Sequence, residues 1–298
     1  MQHLQVFNLL CGTSRLTSGT QRLVKEVVMG KNWSTAGFLG SSVLILMVTV
    51  CPVAFPQTDS SFIDLVRRSG FIFQGTVKAV GESTPSVVRE SSTAIVSVDR
   101  VLESLPPTGN QTGRDVTVRL RKPGEMRPGQ RATFFTYVYA GGTSLGLEEV
   151  GILPQQDPTS LENRIRAARQ TMADGALKVR LQSAELVVVG VVGAAKQTEE
   201  ALNPRSEHDP LWWRAPIRVM SFEKGRPTGG PVIVNIATNF DYLWAQAPKP
   251  KAGETGIFLL QPDREKKFRV SGFFLIDSLD ALPTSELERV RGLLKQHP

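Results

Sequence analysis

A chain of 298 residues, 41% hydrophobic and 21% charged, has the composition of packed cores and the length for two domains, which excludes a disordered polymer. Part of its formal charge of +7 belongs to the first 56 residues, where Arg15, Arg22, Lys25 and Lys31 face only Glu26, and the remaining +4 argues against a nucleic-acid partner. Both cysteines, Cys11 and Cys51, lie in that same stretch, so residues 57–298 hold no disulfide, thiol nucleophile or cysteine-based zinc site.

In chain order, residues 1–56 read as a leader. Residues 37–55 carry no charge and follow Lys31, which makes them an expected apolar helix serving as a signal peptide or a membrane anchor. The strongest part, 43–50, is short for a bilayer core that needs about 20 residues. Met29 opens MGKNW, which has the look of a signal n-region, so the start is Met1 or Met29. Pro52, Phe55 and Pro56 break up the small residues that a signal peptidase reads. Cleavage, a retained anchor and lipidation at Cys51 all stay open.

Past the leader the sequence repeats itself. FIFQGTV at 71–77 reads like LVVVGVV at 186–192, with Gly75 matching Gly190. VSVDRV at 96–101 parallels IRVMSF at 217–222, and GRDVTVRL at 113–120 parallels GGPVIVNI at 229–236. PGQRATFF at 128–135 parallels AGETGIFL at 252–259, and PTSLE at 158–162 parallels PTSELE at 283–288. Blocks matched in one order imply a duplication, with domains at 62–176 and 177–298.

Period-2 apolar segments bounded by Gly and Pro predict antiparallel strands in each copy. A short helix is expected over 62–68, and a helix is expected to end each copy. Thr159 or Ser160 would cap the first, with Leu161, Ile165 and Ala168 on one face; Thr284 or Ser285 would cap the second, with Leu287, Val290 and Leu294 likewise. The fold class is therefore mainly β with flanking helices, two tandem OB-like small β-barrels after an N-terminal apolar helix, since closure removes exposed sheet edges.

The order of an apolar strand with central Gly75, then Val96-Ser97-Val98, Val116-Thr117-Val118 and Pro128-Gly129, repeated in the second copy, resembles the tissue-inhibitor-of-metalloproteinase and netrin-module type of barrel found in bacterial envelope proteins. That resemblance implies an extracytoplasmic OB-like module. It carries over no functional residue, because the inhibitor family's N-terminal cysteine has no counterpart in these domains.

Catalytic vocabulary is sparse. His208 lies between Glu207 and Asp209, and adjacent residues without distant partners read as a solvated loop rather than a metal or acid–base cluster. Gly190 to Ala195 lacks the glycine spacing of a dinucleotide loop, and Glu148-Glu149 and Glu199-Glu200 read as solvated charges. Aromatic residues offer more: Trp212, Trp213, Tyr242 and Trp244, with Lys249 and Lys251 nearby, form a candidate ligand-binding face on the second barrel. The competing reading has one Trp of each group plugging the barrel and its neighbour covering the rim.

These readings converge on a non-catalytic extracytoplasmic binding or scaffolding protein of the bacterial cell envelope, secreted or membrane-anchored. It would have no cofactor and no metal, and a protein or glycan partner, with membrane contact through 37–55 if that segment is uncleaved. The alternatives are a protease-inhibitor-like module, or a glycan or single-stranded nucleic-acid binder acting through the second barrel's aromatic face.

Overall fold

The computed structural model describes residues 59–298 apart from 199–207, 227–228, 239–240, 266, 269 and 297–298. The leader, with the apolar run at 37–55, Met29 and Cys51, lies outside the described residues. Among the described residues no helix is long and apolar enough to cross a membrane.

The first copy begins with α1 (Ser60–Arg68), followed by β1 (Phe71–Val80), β2 (Thr93–Ser104), β3 (Asp115–Arg119), β4 (Arg131–Ala140) and β5 (Gly146–Pro154). These strands close in the order β1-β2-β3-β5-β4, with β3 and β5 parallel and β1 returning to β4. The inward side chains, among them Phe71, Phe73, Val96, Val98, Val116, Val118 and Phe134, are buried together as the barrel core.

After α2 (Pro158–Ser183) the second copy runs through β6 (Leu186–Val192), β7 (Lys196–Gln197), β8 (Trp212–Lys224), β9 (Val232–Ala237), β10 (Thr255–Pro262), β11 (Phe273–Leu275), β12 (Ala281–Leu282) and α3 (Leu287–Lys295). Its main strands repeat the circuit as β6-β8-β9-β11-β10, with β9 and β11 parallel and β10 closing on β6. Both copies are thus closed five-stranded barrels of OB-like order.

The duplication extends to ladder positions. Gly75 opposes Val98 and Ala132, while Gly190 opposes Val219 and Gly256; Thr117 opposes Ile95, while Ile233 opposes Pro216. A register shift falls immediately before each central glycine. The sharp bend leaves no room for a side chain: a Cβ on Gly190 would sit 2.5 Å from Ile217 Cγ2 and 2.8 Å from the Arg218 carbonyl. Gly190→Ala is therefore expected to cost about 1–3 kcal/mol in urea denaturation, from overpacking against backbone.

One 26-residue helix serves both barrels. Leu161, Ile165 and Ala168 of α2 pack with Phe62 and Val66 of α1 over Ile72, Phe135 and Val150 on the outside of the first barrel. Leu177 and Leu181 of the same helix pack with Val290 of α3 over Val187, Val189, Ile257 and Leu259 of the second. Asp157 caps α2, its Oδ2 accepting from the Ser160 amide at 2.7 Å, so the cap falls before the expected Thr159 and Ser160. A single 3-10 turn, Thr284–Glu286, precedes α3, which has Glu286 in the cap position and no side-chain cap bond, where Thr284 or Ser285 was expected.

Polar contacts fasten the helices. Lys224 Nζ donates to the Leu181, Gln182 and Ala184 carbonyls at the end of α2, and burial pulls its pKa below the ordinary lysine value. Arg291 of α3 grips Glu223 of β8 at 2.8 Å and, with a bond from Ser221, holds that carboxyl below its usual range. A depressed carboxyl contributes stability that is present above its unfolded-state pKa and lost as pH falls through its folded one. Acidification through that window is expected to raise amide exchange in α3 first, and Glu223→Gln is expected to flatten this response.

Candidate ligand-binding face of the second barrel

Alternation along β8 turns Ala215, Ile217 and Val219 into the barrel and leaves Trp212, Arg214, Pro216, Arg218 and Met220 on the outer face. What covers that face changes along its length. At the Trp212 end, Trp244, Phe268 and Phe274 close over it, with ring centroids 5.8, 5.0 and 5.0 Å from Trp212. Val270, Ala237 and Ala247 complete this small outer core, and Trp212 is 4% exposed.

The sequence-selected residues therefore separate into different surroundings. Trp212 and Trp244 lie together in the outer core, and the Trp244 indole donates to the His208 carbonyl at 2.9 Å. Trp213 is at the barrel end with 36% of its surface exposed, and Tyr242 is exposed on a turn. Lys249 donates to the Trp244 and Ala247 carbonyls, and the Lys251 side chain is exposed. His208 Nδ1 lies 2.6 Å from Asp241 Oδ2, a partner 33 residues away that no local pattern reveals. Glu148 pairs with Arg119 and Glu149 accepts the Arg121 amide, whereas Glu199 and Glu200 lie outside the described residues. Among the described residues no group of three metal-ligating side chains converges.

Beyond Arg214 the outer face opens into a groove of 620 Å³ lined by residues including Lys196, Gln197, Arg214, Pro216 and Ile233. A second chamber of 360 Å³ meets it at Pro216 and is lined by Arg218, Gly230 and Pro231 together with the core-side Ile217, Val219 and Phe222. Both lie in the size range of ligand sites. Lys196 and Arg214 are direct partners across the β7–β8 ladder. On the next strand Asn235, opposite Arg214, is buried, and its amide donates to the Ser271 and Phe273 carbonyls, tying β9 to the loop before β11.

The equivalent face of the first barrel is sealed. Thr117, the counterpart of Ile233, points outward yet is fully buried, because the 81–92 loop folds across it. The Thr84 amide and hydroxyl both meet Thr117 Oγ1 at 2.8 Å, and Thr84 Oγ1 bonds Ser144 Oγ at 2.6 Å on the β4–β5 turn. Glu90 of the same loop, with Glu148, pairs with Arg119, whose guanidinium stacks 4.6 Å from the Tyr139 ring centroid. One copy thus covers its strand face with the 81–92 loop and pairs Arg119 on it; in the other, Asn235 stands in the place of Arg119, and the face is open among the described residues.

No protein-family model matches the chain. No curated protein matches it either. Among solved structures it is similar to the HINa domain of Ifi202 in complex with 20-bp double-stranded DNA, at 11% identity and a TM-score of 0.20, over 69% of this chain and 92% of that one. It is also similar to a structure described as "Structural mimicry for functional antagonism", at 11% identity and a TM-score of 0.19, over 69% and 89%. Similarity at that level carries no argument about function.

Proposed function

We propose that this chain is a non-catalytic binding or scaffolding protein of the bacterial cell envelope that takes its ligand on the outer face of β8 and β9. The 620 Å³ groove carries the reading, because of two equivalent faces the first is closed by its 81–92 loop and the second is open among the described residues. The uncharged run at 37–55 and a cysteine-free 57–298 support export through a membrane into an oxidising compartment. Within this scheme the first barrel and the shared α2 are the rigid mount for the second barrel.

A photoreactive amino acid in place of Gln197, beside the groove, or Val88, exposed on the sealing loop of the first barrel, tests this in the intact cell. Covalent adducts are expected at position 197 and not at 88. Equal adducts at both, or adducts at neither, would overturn the reading.

A further inference from the structure

We infer that the groove on β8 binds an extended anionic glycan, a chain of sugar rings bearing acid groups, held by Lys196, Arg214 and Arg218. This rests on the reading that the β8–β9 face is the ligand site. The charges on this face favour an anion. Lys196 and Arg214 face each other directly across an antiparallel ladder, an arrangement that destabilises the unliganded protein. Among the described residues neither makes an ion pair, and nor does Arg218 four residues along the strand, although Arg180, Arg264, Arg289 and Arg291 of the same half each hold a carboxylate. Three cations with no carboxylate partner among the described residues, two in one chamber and the third in the chamber adjoining it at Pro216, are complementary to a repeated negative charge.

The shape favours an extended chain. Arg214, Pro216 and Arg218 alternate on one face, which sets the two guanidinium positions roughly 13 Å apart along an extended ligand. Pro216 and Ile233 give the larger chamber an apolar floor, with the polar Gln197 at its side, a combination suited to the C–H face and hydroxyl edge of a sugar ring. Among the described residues no aromatic side chain lines that chamber, and Trp212 and Trp244 are engaged with Phe268 and Phe274, so the described lining offers no stacking platform for a single-stranded nucleic acid. An acidic peptide adding as a strand would need a free ladder. Beside the Arg214 chamber β8 is taken by β9 over Trp212–Ile217 on one side and by β7 and then β6 on the other, and the Gly193 amide fills the gap by donating to the Pro216 carbonyl at 2.7 Å.

The full-length protein is titrated calorimetrically with an oligogalacturonate hexamer, a sulfated dextran oligomer, neutral maltohexaose, a single-stranded oligothymidylate and a polyglutamate peptide. Binding is expected for one or both acidic glycans, weakening as salt rises, and not for the neutral hexamer. The Lys196→Gln/Arg214→Gln double variant is expected to lose at least tenfold in affinity while its Tm holds or rises, since the opposed charges are gone. Arg127→Glu, at an exposed arginine of the first barrel, is expected to bind as the parent does. Tighter binding of the oligothymidylate or polyglutamate, full affinity in the double variant, or no binding to either acidic glycan would overturn the inference. Adducts at position 197 together with the last outcome would leave the face a ligand site for another chemistry.

Discussion

Arg180→Ala is expected to lower stability by about 3–5 kcal/mol, because it strands a carboxylate in the protein interior. Asp280 is fully buried, and Arg180 of α2 meets it with two bonds, Nε to Oδ1 at 2.5 Å and NH2 to Oδ2 at 2.6 Å. The Ile276 and Asp277 amides donate to the same Oδ2. These bonds lock the turn between β11 and β12 beneath the shared helix, and NH1 adds a bond to Gln261 of β10 at 3.1 Å. Removing the cation leaves two amides to hold a full negative charge away from water. Urea denaturation of Arg180→Ala, Asp280→Asn and the double variant would measure the coupling, and the double variant is expected to be less damaged than the two losses summed. Additive losses would show that the pair is not coupled.

Trp212→Ala is expected to cost a similar amount, about 3–5 kcal/mol, through a cavity in the outer core. Trp244, Phe268 and Phe274 all meet this ring edge-on, so its removal takes a contact from each, leaves only the Trp244–Phe268 and Phe268–Phe274 pairs, and loosens the loop that carries Trp244. The groove begins at Arg214 on the same face, so Trp212→Phe, which keeps most of the packing, is expected to retain ligand affinity with only a lower Tm. Thermal denaturation paired with the calorimetric titration separates the two effects. Lost affinity at unchanged stability would place the ligand on the aromatic residues themselves.

The barrel pairing was legible in the sequence because duplication and register are both local signals. Gly75 and Gly190 mark the same bend, and the flanking apolar blocks fall on equivalent ladder positions. The helical arrangement was less so. The periodicity of Leu161, Ile165 and Ala168 places the first half of α2, but Leu177 and Leu181 acquire meaning only when the second barrel presents Val187 and Val189 to them. Residue type alone did not tell which tryptophan is covered. Trp212 sits on an outward position and is buried by Phe268 and Phe274, more than fifty residues further along the chain. The cations of the groove were dispersed in the same way: Lys196 and Arg214 meet through a two-residue strand too short to announce itself, although Arg214-Ala215-Pro216-Ile217-Arg218 does carry an alternation of outward charge and inward apolar residues.

Among the described residues, equivalent faces of the two copies differ in access. Residues 57–298 contain no cysteine, so Thr117→Cys and Ile233→Cys report on the two faces separately when labelling is read site by site by mass spectrometry. Position 233 is predicted to label rapidly and to be protected by cell-envelope extract, while position 117 labels only as the protein unfolds. Equal labelling at both positions, or labelling at 233 that extract does not slow, would contradict the account.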